Sequence, residues 1–240
     1  MLDGDGLRGA RIGVLKVMMG SRSEHQNVSA VVSAAITVMR KAGAVVIEID
    51  APTLDADRLI ADNDVQRYEF KELINAYLAT IPNAPVKSLA DILASGKFHK
   101  PSLEQNLARM ESYQNGMQEP DYKERLLRDQ RVRQRLISLM ANDQLDALAY
   151  PFQKRLVVPV TEPVQADRNE ILASITGFPA IDVPAGFSEP SAQAPIGVPI
   201  GLDILGRPWS EGRLIQIAHE FEQITHFRKP PISTPPLVAK

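Results

Sequence analysis

The apolar pattern between Arg11 and Ile49 restricts the fold more than any other feature of this 240-residue chain. Arg11–Val17 (RIGVLKV) is short, apolar and rich in β-formers, as a buried strand requires. Val28, Val31, Val32, Ala35, Ile36 and Met39 then recur at helical spacing, which predicts a helix over 28–42 with one apolar face. Gly43 is placed to end that helix, and Ala44–Ile49 (AVVIEI) predicts a second strand. Two strands joined by a helix of this length are expected to run parallel.

The region 55–143 predicts helices at Asp57–Thr80, Ser88–Ser95, Ser102–Gln114 and Asp121–Asn142, with Pro82, Pro85, Pro101 and Pro120 at the breaks. So long a helical block exceeds a minimal crossover and is expected to be an insertion, or cap, at one end of a sheet. Strand character returns at Leu145–Tyr150 (LDALAY) and stops at Pro151. Ala180–Phe187 and Pro199–Leu205 are expected to pair, joined by an exposed Pro- and Ser-rich loop. Ser210 is placed to cap a last helix whose inner face carries Leu214, Ile217, Ala218, Phe221 and Ile224. The proline-rich tail from Lys229 is expected to run extended. The pattern is α/β: a mixed β-sheet flanked by helices on both faces, with a helical insertion. Its parts are a βαβ unit (1–54), the insertion (55–143), a strand, hairpin and closing helix (144–228), and the tail (229–240).

Several chemistries are excluded. The chain has no cysteine, so disulfides, thiolate metal sites and cysteine nucleophiles are out. Its four histidines, His25, His99, His219 and His226, form no HExxH pair and read as exposed structural residues. No metal site and no cofactor is expected. A formal charge of −2 offers no reason to expect nucleic acid or an anionic membrane as partner. The basic run Lys123–Arg135 is interrupted by Glu124 and Asp129 and reads as a solvated helix face. No apolar run suits a signal peptide or a membrane span, so a cytoplasmic protein is expected. Gly4, Gly6 and Gly9 match GxGxxG but precede the strand, whereas phosphate binding needs them after it; a lead-in turn is expected instead. The loop Gly20–Ser23 lacks a P-loop ending, and Ser23 or Asn27 is expected to cap a helix there. Asp55/Asp57 and Asp62/Asp64 lack the glycine and glutamate of a calcium loop and read as surface charge. GxSxG, SxxK and a Gly-Gly-Ser-Ser-Gly-Gly run are absent, leaving no recognisable activated serine.

The last third carries the specific signal. The run 171–187 (ILASITGFPAIDVPAGF), then 199–208 (PIGLDILGRP), resembles the C-terminal end of amidase-signature enzymes. Glu211–Leu214 and Ala218–Gln223 continue the likeness, and Asp146–Pro151 resembles that family's strand ending in proline. Asp3–Leu15 is similar to the segment that joins the family's two halves, whereas the likeness over Asp55–Gln118 is weak. Members of the family hydrolyse or transfer amides with a Ser–cis-Ser–Lys triad. The serine forms an acyl-enzyme, the lysine acts as base through the middle serine, and glycine-rich backbone amides hold the oxyanion. The resemblance places all of these before the segment that matches this chain, so no catalytic residue carries over. It implies the C-terminal portion of one incomplete amidase domain, inactive alone.

The same resemblance implies part of a substrate pocket, since in one branch an acidic residue before the Gly-Phe-Pro motif reads the substrate's amino group. Counting back from Gly177 puts Asp167 there, beside Arg168 and Asn169; a solvated loop or helix cap is the other reading. Tyr150, Pro151 and Phe152, at a strand end, form a second candidate wall. The implied ligand is a small-molecule amide, once an N-terminal half is supplied. A second copy or a partner chain would cover the exposed sheet. Two competing expectations stand beside this: a stand-alone, non-catalytic binding module built on the same scaffold, and a hydrolase using Ser174, Thr176 or Ser21.

Overall fold

A computed structural model describes residues 4–159, 161–162, 164–231 and 234. The chain forms two compact units. One contains residues 1–56, 137–156 and 167–240; the other contains 57–136 and 157–166.

The first unit is built on a five-stranded mixed sheet of order β2-β1-β3-β5-β4. Its strands are β1 (Arg11–Leu15), β2 (Val45–Ile49), β3 (Ala147–Pro151), β4 (Ala180–Phe187) and β5 (Pro199–Gly206). Strand β1 is parallel to both β2 and β3, while β5 is antiparallel to β3 and to β4. The first strand is shorter than its apolar run suggests, because Lys16–Met19 turns into a short helix, α1, that Gly20 ends at φ 77°. Helix α2 (Gln26–Lys41) makes the crossover to β2, and Gly43, at φ 97°, reverses the chain after it.

One face of the sheet holds the main core. Ile12, Val14, Ala147, Ala149, Val183, Leu202 and Ile204 meet Val28, Val32, Ala35 and Met39 of α2. Leu214, Ile217, Ala218 and Phe221 of α9 (Glu211–Thr225) complete it. Residues of the other parity, Leu15, Leu148, Tyr150 and Leu205, point to the opposite face and are fully buried. Within the Gly4–Gly9 segment, Gly6 and Leu7 are buried against α9. A Cβ on Gly6 would stand 2.1 Å from the Gln216 carbonyl oxygen of α9, Leu7 N donates to Glu220, and Arg213 reaches Gly6 O at 3.0 Å. Ser210 is the N-cap residue of α9 by position, but its hydroxyl donates to Arg207 O instead of accepting a helix amide.

The second unit is helical: α3 (Ala56–Asn63), α4 (Gln66–Ala79), α5 (Leu89–Ser95), α6 (Lys100–Ser112) and most of α7 (Pro120–Asn142). The helix expected over 57–80 is two, because the chain breaks after Asn63, where Asp64 Oδ1 accepts the Gln66 amide at 2.9 Å. Ser88 caps α5 through the Asp91 amide at 3.1 Å. Tyr68 is buried between Tyr113 and Tyr122, with ring centroids 5.0 and 6.0 Å away, and donates to Asp121. That hydrogen bond, and then Arg125 at 2.9 Å, hold the Asp121 carboxyl well below the usual carboxylate range. No helix among the described residues is long and apolar enough to cross a membrane. The tail expected to run extended lies largely outside the described residues, from Ile232 onward.

Candidate functional site

Strands β1 and β3 run parallel and side by side, so their carboxyl ends open at the same edge of the sheet, where the connections of open α/β sheets most often build sites. Two connections meet there. One is the β1–α2 loop with α1 and residues 20–25; the other is the chain leaving β3.

The second connection doubles back on itself. Lys154 N donates to Asp167 O at 2.7 Å, Asn169 N donates to Phe152 O at 3.0 Å, and Gln153 bridges Arg168 in antiparallel fashion. This return brings Asp167, Arg168 and Asn169 against Pro151 and Phe152. Asn169 is fully buried and acts as a staple, its Nδ2 donating to Met18 O and to Pro151 O, both at 2.8 Å. Its Oδ1 is buried without a hydrogen-bond partner among the described residues. Glu170 follows, and the short helix α8 (Ile171–Thr176) ends at Gly177 in the left-handed conformation.

Asp167 is also left-handed, at φ 62°, which is uncommon for a residue with a side chain. The left-handed backbone turns its carboxylate inward, against Arg22 and His25. Arg22 Nη2 donates to Oδ1 at 2.5 Å, and His25 Nε2 lies 3.5 Å from Oδ2. The Arg22 amide donates to His25 Nδ1 at 3.3 Å, and Arg22 Nε donates to Nε2 at 3.3 Å, so Arg22 wraps the ring. Arg22 is also held by Glu24 Oε1 at 3.0 Å, and its side chain remains half exposed. Gly20 makes room for this arrangement, since a Cβ there would stand 2.2 Å from His25 Nδ1.

Two sequence expectations change here. His25 is a buried, partnered residue of the site and not an exposed one, because the Gly20 turn folds its ring under Arg22. Neither Ser23 nor Asn27 caps a helix through its side chain. Arg22 and His25 were the residues sequence reasoning missed. The signal available was their place in the first βα loop, where α/β folds gather functional groups. Arg168 and Phe152 are exposed; Arg168 pairs with Glu170 at 3.1 Å. The hydroxyls of Ser174 and Thr176 donate to the helix carbonyls of Glu170 and Leu172, one turn earlier, and Ser21 is exposed in its loop.

Tyr150 is fully buried on β3, and burial, then Asp203, push its phenol up. Asp203 itself is raised to about 7, first by burial and then by Asp182, which burial raises to about 6. Although Asp182 is exposed as a residue, its carboxyl folds over β5. Both oxygens lie 2.6 Å from where a Gly201 Cβ would be. Among the described residues no group of three or more His, Asp and Glu side chains is arranged to hold a metal ion.

The amidase family model matches residues 4–215. The chain belongs to the amidase family. A probable amidase of Arabidopsis thaliana is 29% identical over 94% of the chain, which spans 40% of that relative. A glutamyl-tRNA(Gln) amidotransferase subunit of Thermoanaerobacter pseudethanolicus is 26% identical over 94% of the chain and 46% of its own length. Among solved structures, native peptide amidase from Stenotrophomonas maltophilia superposes with a TM-score of 0.73 at 30% identity, over 96% of this chain and 46% of that one. This amidase-family chain therefore spans about half the length, or slightly less, of the relatives it matches, and its mixed α/β sheet is part of theirs.

Proposed function

We propose that this chain is the C-terminal portion of an amidase, and that its part in amide C–N bond hydrolysis is to wall the acyl or amine side of the substrate pocket. The supporting observation is the stapled edge of the sheet. Asn169 ties the Asp167–Asn169 segment to α1 and to the end of β3, beside the Arg22–Asp167 pair. Such anchoring suits a group that orients a substrate, since misplacement by about 1 Å costs a positioned reaction heavily. The nucleophile, the base and the oxyanion donors of the family's mechanism have no matching positions in this chain, so it is inactive alone.

In this reading Asp167 fixes the Arg22 guanidinium, and with Phe152 and Arg168 at the exposed rim it shapes the entrance to the amide. The test is covalent labelling with a fluorophosphonate serine probe, read by intact mass. Two samples are compared: the 240-residue chain, and a chimera in which it replaces the matching part of the Stenotrophomonas peptide amidase. The chain alone is expected to gain no adduct, while the chimera is labelled once and hydrolyses an amide. A stoichiometric, heat-sensitive adduct on the chain alone would overturn the assignment of the chemistry. A folded chimera that neither labels nor hydrolyses would overturn the pocket role.

A further inference from the structure

The Arg22–His25–Asp167 cluster fixes which kind of group this corner of the sheet can receive. A carboxylate in a pocket wall ordinarily offers its oxygens to a cation. The Asp167 side chain is only 6% exposed, and its two oxygens face Arg22 Nη2 at 2.5 Å and His25 Nε2 at 3.5 Å. An ammonium reaches Asp167 only by displacing Arg22 from a buried carboxylate, and breaking such a pair is strongly unfavourable. What the cluster turns outward is the guanidinium: the Arg22 side chain is 55% exposed.

The donors of that guanidinium are unevenly used. Nε serves Glu24 Oε1 at 3.0 Å and His25 Nε2 at 3.3 Å, while Nη2 serves Asp167 and His25. Nη1, which carries two N–H groups, makes no hydrogen bond among the described residues. The group is also held in place before any ligand arrives. Its own amide donates to His25 Nδ1 at 3.3 Å, and Gly20 leaves the room that the ring needs. A donor fixed in advance loses little freedom on binding. Charge then separates the ligand classes. One guanidinium stands between two carboxylates, Asp167 and Glu24, so no positive charge is left over to attract an anion. A ligand carboxylate therefore meets a surplus of negative charge, and an ammonium finds Asp167 taken. An uncharged carbonyl oxygen needs only a donor, and Nη1 supplies two.

We propose that Arg22 is a specificity-determining residue of this pocket, its Nη1 donating to an uncharged carbonyl oxygen of the substrate. The substrate class that follows is the N-acylated amino-acid amide. Amides that carry a free amine or a carboxylate beside the scissile group are refused, the first because Asp167 is locked to Arg22 and the second because Asp167 and Glu24 already neutralise the guanidinium. As a statement about substrate, this rests on the pocket role proposed above; the ligand preference itself is measured on this chain alone.

The test is a titration of the isotopically labelled chain, followed by amide and arginine Nε–H NMR at constant ionic strength and about pH 6.5, where alaninamide is an ammonium. The ligands are N-acetylalaninamide, alaninamide and succinamate. N-acetylalaninamide is expected to give saturable shifts at Arg22, His25 and Asp167, and the two charged amides to bind at least about tenfold more weakly. Arg22→Met should weaken N-acetylalaninamide at least about tenfold, as loss of a charged donor does, and should let alaninamide shift Asp167. Arg22→Lys keeps a cation for Asp167 but lacks the second arm of the guanidinium. It should lose the first ligand without gaining the second, and it carries the test if Arg22→Met does not fold. No saturable response, equal response to all three ligands, or unchanged affinity in the folded variants would overturn the proposal. The two readings fail separately. A chain with this preference beside a chimera that neither labels nor hydrolyses sinks the pocket role alone, and an active chimera beside a chain without the preference sinks this inference alone.

Discussion

Replacing Asp203 by Asn keeps the shape of a side chain that is 4% exposed and removes its titration, so the consequence is a change in how stability responds to pH. In the folded chain this carboxyl holds its proton up to about pH 7, against an ordinary value of 3.8. Its contribution is therefore full below 3.8, where folded and unfolded chains are both protonated, and is lost as the pH rises through about 7. The difference corresponds to a ceiling of about 4 kcal/mol at 1.36 kcal/mol per pH unit. Asp182 acts with the same sign through about pH 6, and because its residue is exposed its share is screened and smaller. Asp121 has the opposite sign, but it loses its contribution only in acid below the window that matters here. Urea unfolding followed by far-ultraviolet circular dichroism between about pH 4.5 and about pH 8 reads the slope. The wild-type chain should lose stability across that range, and Asp203→Asn should flatten the decline and be the more stable protein at the alkaline end. Parallel curves for the two proteins, or a wild-type curve that rises with pH, would refute the reasoning.

Asn169→Ala should destabilise the first unit by about 2–3 kcal/mol, because two buried carbonyls lose their donor; a loss of unfolding free energy under about 0.5 kcal/mol in urea would show that Asn169 is no staple. Gly6→Ala should cost about 1–3 kcal/mol, since its Cβ meets backbone and not a movable side chain, and thermal unfolding measures it. Tyr68→Phe removes a hydrogen bond to the Asp121 carboxylate and should lower stability by about 1–2 kcal/mol near neutral pH. Because Asp121 then titrates closer to its ordinary value, the variant should also lose less stability than the wild-type chain on acidification.

The elements legible in the sequence were those whose signal is local. The periodicity of α2 needs only its own residues, and β4 and β5 are bounded as their apolar runs and flanking prolines suggest. Helix α8 was not legible: six residues are too few to show a period. Strand β1 was overestimated for a related reason. Lys16–Met19 has the composition of a strand, and only the need to turn toward Gly20 makes it a helix.

By itself the sequence determined the α/β class, the parallel βαβ start, the family to which the chain belongs and the absence of cysteine chemistry. These follow from periodicity, composition and short motifs, which need no knowledge of what lies across the fold. Tertiary structure alone decided the rest. It brought Arg22 to Asp167 across 145 positions of sequence, buried His25 beneath them, and set Asp182 and Asp203 side by side through strand register. A carboxylate's neighbours, and hence its charge and its role, depend on which strands pair and in what register, and that choice is made by the whole packed core rather than by the residues beside it in the chain.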